Sequence, residues 1–142
     1  CPGIADPGAD IVKIAHHRGV NVIPLVGPSS ILMALMASGL NGQNFAFNGY
    51  LPKEKIKRKN RILFLENLSF KQQQTQLFIE TPFRNNHMLE DLCKYCQANT
   101  ELVVAANIST ESESITRDSI KNWRKKSVDL NKKPSIFLIH KY

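Results

Sequence analysis

The sequence predicts an α/β fold, and three observations carry that reading. Residues 21–26 (NVIPLV) are apolar on both faces, as a buried parallel strand is. Helical stretches flank them, giving a helix–strand–turn–helix unit of the kind repeated in α/β sheets. From residue 45 onward, short β-branched or aromatic runs alternate with stretches of helical periodicity.

Taken in order, residues 9–18 place Ile11, Val12, Ile14 and Ala15 on one side and read as a short amphipathic helix. His16 and His17 fall in its last turn, where a cation suits the helix dipole, and Gly19 is its stop. After the strand at 21–26 comes Gly27-Pro28-Ser29-Ser30. Ser29 or Ser30 can cap the next helix, whose run 31–37 is apolar all round and so predicted to be buried. Gly39-Leu40-Asn41-Gly42 breaks the pattern, and a domain boundary is expected near residue 43. Then follow a strand at 45–50, a basic helix at 54–69 and a strand at 75–80. A helix at 84–97 carries Met88, Leu89, Leu92 and Tyr95 at helical spacing, and a strand at 102–106 comes next. Residues 109–116 are a polar Ser/Glu segment. A short basic helix at 118–126 and a strand at 135–140 complete the reading.

The 142 residues suit one ordinary domain or two small halves. Such a chain buries roughly 70% of its unfolded surface and needs no disulfide or metal staple. With 42% hydrophobic residues it is not a wholly disordered chain. No apolar run approaches the ~20 residues of a membrane-spanning helix. The chain opens Cys1-Pro2-Gly3-Ile4, without Met or a targeting pattern, which leads to the expectation of a fragment.

The net charge is +7 and its cations are clustered. Lys53, Lys55, Lys57, Arg58, Lys59 and Arg61 fall within nine residues, opposed only by Glu54. A second group comprises Lys121, Arg124, Lys125 and Lys126, with Lys132 and Lys133 close behind. Clustered cations attract polyanions and add salt-dependent affinity for phosphates, although a solvated helix face has the same composition. The first cluster follows Tyr50-Leu51-Pro52, in a connection between elements where binding groups often lie. Cys93 and Cys96 form a single C-x-x-C late in a helix, away from the N-terminal position that activates thiols, and read as structural. Neither they nor the four histidines show metal-ligand spacing, so no metal is expected.

Four segments, in order, resemble one family. Cys1-Pro2-Gly3-Ile4-Ala5-Asp6-Pro7-Gly8 is similar to the second half of an A-G-[TC]-P-x-[IL]-[SA]-D-P-G loop. Residues 22–30 (VIPLVGPSS) are similar to V-x-P-L-P-G-P-[SC]-[AS], residues 47–53 (FNGYLPK) to F-x-G-F-L-P-x-K, and residues 78–84 (FIETPFR) to F-Y-E-[ST]-P-[HY]-R. The chain thus resembles the tetrapyrrole-methylase superfamily of S-adenosylmethionine (SAM)-dependent methyltransferases. Within it, the closest resemblance is to the branch that methylates a cytidine ribose 2′-hydroxyl in small-subunit ribosomal RNA. The resemblance implies two α/β domains with the cofactor between them. Residues 1–43 would be the end of the first domain and 44–142 a complete second domain with a mixed sheet. It also implies a cytoplasmic homodimer, with small-subunit rRNA or the ribosomal subunit as partner and no membrane.

By resemblance, Cys1 and Ile4 lie on the cofactor loop, Ser29 and Ser30 match a cofactor-contacting pair, and Glu80 and Ile108 match walls of the adenine pocket. Helix capping is an equally simple role for the serines, and an ion pair with Arg84 for Glu80. Lys53, Lys55, Lys57, Arg58 and Arg61 would grip RNA phosphates. Asp6, Lys53 and Glu80 stand at family-matching positions as candidates for a general base, and none is singled out. One segment departs: the branch reads A-R-E-L-T-K-x-[FY]-E where residues 105–113 read AANISTESE, without the Arg and Lys. Two rivals therefore stand beside the rRNA methyltransferase: a methylase of a tetrapyrrole, and an RNA-binding relative with an eroded catalytic site. A chain holding only part of the first domain is expected to bind S-adenosylhomocysteine weakly or not at all.

Overall fold

A computed structural model describes all residues, 1–142. Its centre is one five-stranded sheet: β1 (Phe45–Tyr50), β2 (Thr75–Ile79), β3 (Glu101–Ala106), β4 (Ser114–Ser119) and β5 (Ser135–His140), in the order β1-β2-β5-β3-β4. β1 and β2 are parallel, and every other neighbouring pair is antiparallel. The sheet is therefore mixed.

Strand alternation divides the core between the two faces. Phe78, Leu102, Val104, Phe137 and Ile139 point to one face, beneath α3 (Lys55–Gln72), α4 (Asn85–Tyr95) and the single-turn α5 (Ile120–Trp123). Leu77, Val103, Ala105, Ile136 and Leu138 point to the other, against Ala34 and Leu35 of α2 (Ser30–Ser38). With helices on both faces, β5 can be apolar at every position but its ends, and all six of its residues are buried. α1 (Gly8–His17) buries none of its residues. No helix is long and apolar enough to cross a membrane.

Three expectations need correction. Residues 21–26 form no strand, because none of the five strands lies beside them to complete a hydrogen-bonded ladder, and Ile23, Leu25 and Val26 stay exposed. The apolar helix at 31–37 is buried on one side only: Ala34 and Leu35 meet the sheet, while Leu32 and Met36 face outward. The segment after residue 109 holds a strand, β4, which pairs with β3 from Glu101↔Ser119 to Ala106↔Ser114 and shortens the basic helix to Ile120–Trp123. β4 is a polar edge strand that alternates Ile115, Arg117 and Ser119 against Thr116 and Asp118; pairing to β3 overrides its weak local propensity.

Candidate functional site

β5 is antiparallel to both β2 and β3, so β1, β2 and β3 all run the same way. Their carboxyl ends share one margin of the sheet, where open α/β sheets bind ligands. A cleft of about 360 Å³ opens there. Its walls come from the end of β1 (Tyr50), the end of β2 and the turn after it (Ile79, Glu80, Pro82), and the end of β3 and the turn after it (Ala105, Asn107, Ile108, Thr110). The start of β5 (Pro134, Ser135, Ile136) and Ser30 close it. Volumes of ~300–1,000 Å³ are usual for small-molecule sites. The lining joins aliphatic walls to hydroxyls and an amide, a donor and acceptor set that suits a small molecule with both apolar and polar parts.

Three of the six cofactor candidates meet in this cleft: Ser30, Glu80 and Ile108. Ser30 opens α2. Ser29 caps that helix, its Oγ accepting from the Leu32 N–H at 3.5 Å. Ile108 sits on a tight turn between two left-handed residues, Asn107 (φ 52°) and Ser109 (φ 66°). Asn107 Nδ2 donates to Ser112 Oγ at 3.0 Å, and Thr110 Oγ1 donates to the Asn107 carbonyl at 2.9 Å. Glu113 Oε2 accepts from the Ser109 N–H at 2.7 Å. The divergent segment 105–113 is thus a self-tied turn that delivers Ile108 to the cleft, and its retained Glu113 is one of the ties.

The Glu80 carboxylate is already engaged. It accepts from the Thr81 N–H at 2.7 Å and pairs with Arg84, and its side chain is buried. Cys1 lies elsewhere, in an apolar cavity of about 670 Å³ lined also by Val12, Leu25 and Pro28; its Sγ donates to the Pro28 carbonyl at 3.2 Å. The Gly27–Ser30 turn connects the two cavities, with Gly27 and Pro28 on one and Ser30 on the other. Ile4 lines neither and is exposed. Asp6 organises its own loop: Oδ2 accepts from the N–H groups of Gly3 (3.0 Å) and Gly8 (2.9 Å), which hold its carboxyl below the usual value.

The basic cluster divides into two kinds of residue. Lys55, Lys57 and Arg58 lie in the first turn of α3, which carries no acidic side chain. Cations there oppose the helix dipole at a cost of about 0.3–1 kcal/mol each, and they add to its positive end. Lys57 pairs with Glu54 at 2.8 Å on the open surface. Arg58 is turned inward: Nη2 meets Asp91 Oδ2 of α4 at 2.6 Å and Nη1 donates to the Lys53 carbonyl at 2.8 Å. Arg61 donates to Asn48 Oδ1 at 2.9 Å and covers the Phe64 ring. Lys53, Lys55, Lys57 and Lys59 stay exposed, Lys59 with its Nζ 5.5 Å from the centre of the Tyr95 ring, whereas Arg58 and Arg61 tie α3 to its neighbours.

The second cluster is similarly divided. Arg124 donates to the Cys93 carbonyl (2.8 Å) and the Cys96 carbonyl (3.0 Å), closing the end of α4. Lys126 pairs with Asp118 at 2.9 Å and lies over the Trp123 ring. Burial pushes both thiols of the C-x-x-C pair above their usual value, Cys96 the more strongly beside Glu66. That chemistry suits structural cysteine.

Sequence reasoning passed over Tyr50, Asn107, Thr110 and Ser135 as cleft residues. A usable signal existed for Tyr50 and Asn107, since each ends or follows a predicted strand. None existed for Ser135, which begins a strand antiparallel to the others.

No protein-family profile matches the chain. It is similar to ribosomal RNA small subunit methyltransferase I of Vibrio cholerae, with 31% identity over 99% of this chain and 49% of that protein. The protein of that name from Bacillus subtilis is 34% identical over 84% of this chain and 39% of its own length. The chain spans about half the length, or less, of the curated relatives it matches. Among solved structures, the methyltransferase CobJ superposes with a TM-score of 0.63 at 16% identity, covering 98% of this chain and 60% of that one. Uroporphyrin-III C-methyltransferase of Thermus thermophilus, complexed with S-adenosylhomocysteine, gives 0.55 at 15% identity, over 99% and 62%. These two likenesses establish the fold.

Proposed function

The chain is a relative of the ribosomal RNA small subunit methyltransferases I, and from that premise we propose that it forms part of a SAM-dependent methyltransferase that modifies a ribose 2′-hydroxyl of small-subunit rRNA. The observation that carries the reading is the 31% identity sustained along nearly the whole chain. The cleft at the strand ends supports it, because Ser30, Glu80 and Ile108, far apart in the chain, converge there.

Residues 1–43 act as the closing part of a first, cofactor-cleft domain and 44–142 as a second α/β domain. The cofactor supplies a methyl group already activated on a sulfonium. The protein's part is then to position the acceptor in line and to exclude water. Ile79, Ile108 and Ile136 provide apolar walls, and the Ser30 hydroxyl provides a polar contact at the opening of α2. Since Arg84 and the Thr81 N–H occupy the Glu80 carboxylate, its backbone serves the site and its side chain braces the turn. Cys1, Ile4 and Ser29 serve the same cofactor through the loop and turn beside the second cavity. Lys53, Lys55 and Lys57 hold phosphates; such contacts place the RNA without reading its sequence. The assembly is a homodimer acting in the cytoplasm.

The test is methyl transfer by the gene product that carries this chain. Labelled SAM is offered to under-methylated small ribosomal subunits and, in parallel, to uroporphyrinogen. Label in the RNA, mapped by nuclease digestion to a 2′-O-methyl nucleotide, is the expected result. Label in the tetrapyrrole alone overturns the reading. RNA binding with no label and no SAM binding identifies a catalytically eroded relative.

A further inference from the structure

We propose that Tyr50 is a stacking platform for the nucleobase of the methyl-accepting nucleotide, an inference that rests on the RNA methyltransferase reading above. Tyr50 is 61% exposed at the end of a half-buried edge strand, and it lines the cleft that also holds Ser30, Glu80 and Ile108. An exposed aromatic at a cleft mouth is the feature by which proteins capture unstacked bases in single-stranded RNA.

The backbone that carries the ring is anchored on both sides. β1 and β2 pair regularly from Phe45 to Phe47, and their register then shifts before Tyr50 pairs with Ile79. Gly49 lies at that irregularity with φ 63°, a conformation that L side chains resist. Asn48 is clamped beside it, donating to Gln76 Oε1 at 3.0 Å and accepting from Arg61 at 2.9 Å. Leu51, directly after Tyr50, is 3% exposed and belongs to the main core. Tyr50 is thus exposed at an irregularity of the strand, between the anchored residues Asn48 and Leu51. A rigid aromatic loses little entropy on binding, which is what a platform requires.

The surroundings match RNA. Lys53 and Lys55 follow within five residues of Tyr50, so cations for the phosphates lie next to a ring for the base. A second exposed ring, Phe83, stands beside the cleft residue Pro82. Ring and cleft together would bring a splayed-out nucleotide to the cofactor, with its ribose between them.

The test compares wild type, Tyr50→Ala, Tyr50→Phe and Tyr50→Trp in the gene product that carries this chain. Methyl transfer to under-methylated small subunits and calorimetric S-adenosylhomocysteine affinity are both measured. Base stacking predicts that Tyr50→Ala raises KM for the RNA about tenfold or more, while Phe and Trp stay near wild type. Cofactor affinity stays within about twofold for Tyr50→Phe and Tyr50→Trp, which keep a ring on the cleft wall, and in Tyr50→Ala it falls less than the KM for RNA rises. An unchanged KM for RNA in Tyr50→Ala overturns the proposal while leaving the function intact. An equal loss of cofactor affinity also overturns it and makes the ring a cofactor wall. A wild type that methylates no RNA removes the functional reading and this proposal together.

Discussion

Arg58 and Asp91 meet at 2.6 Å across the contact between α3 and α4, with side chains only 11% and 9% exposed. A cation from the middle of the most basic stretch of the chain is therefore spent on holding two helices together. Removing one partner of such a pair strands the other charge at low dielectric.

Arg58→Ala should accordingly destabilise the fold by about 3 kcal/mol in denaturant unfolding. It should leave the salt dependence of RNA binding unchanged. Lys55→Ala should do the reverse: stability within about 0.5 kcal/mol of wild type, and a salt slope smaller by about 1. Parallel unfolding curves and binding isotherms at several salt concentrations check both. A reduced slope in Arg58→Ala would return that residue to the RNA surface.

After Arg58, Glu66 is a second inward-turned anchor of α3. Its Oε1 accepts from the Gln97 N–H at 2.7 Å and from the Thr100 hydroxyl, fixing the connection from α4 to β3. Glu66→Ala leaves both donors unpaired and should cost about 3 kcal/mol. Glu66→Gln keeps an acceptor in place and should cost about 1 kcal/mol. Equal losses in the two variants would mean that packing, and not hydrogen bonding, sets the value.

Asp6 gives a pH dependence of defined sign. Two backbone N–H groups stabilise its charged form and hold its pKa below 3.8 in the folded chain. A depressed carboxylate contributes to the folded state above the unfolded pKa and loses that contribution as pH falls through the folded value. The Gly3 and Gly8 amide resonances should therefore titrate together, with a midpoint below 3.8. Asp6→Asn should abolish the titration. A midpoint above 3.8 would show that the loop is not tied in this way.

Much of the fold was legible in local pattern. β1, β2, β3 and β5 are runs of aromatic or aliphatic residues bounded by polar turns, and α3 and α4 carry clear helical spacing. β4 was not legible, because a polar edge strand owes its existence to a partner and not to its own residues. Residues 21–26 failed in the opposite direction: a strong strand composition meets no neighbouring strand. At the site, Ser30, Glu80 and Ile108 were found through motif resemblance, and the shared margin of β1, β2 and β3 explains why they converge. The inward turn of Arg58 was hidden, since its partner lies 33 residues away and only the packing of α3 on α4 unites them.

The proposed function puts the cofactor in the cleft at the carboxyl ends of β1, β2 and β3. Amide chemical shifts of the gene product that carries this chain, followed during titration with S-adenosylhomocysteine, test it most directly. Binding there predicts perturbations clustered at Ser30, Glu80, Thr81, Asn107 and Ile108, extending through the Gly27–Ser30 turn toward Cys1. Perturbations confined to the groove between α4 and α5, around Leu89, Cys93 and Val128, would contradict it.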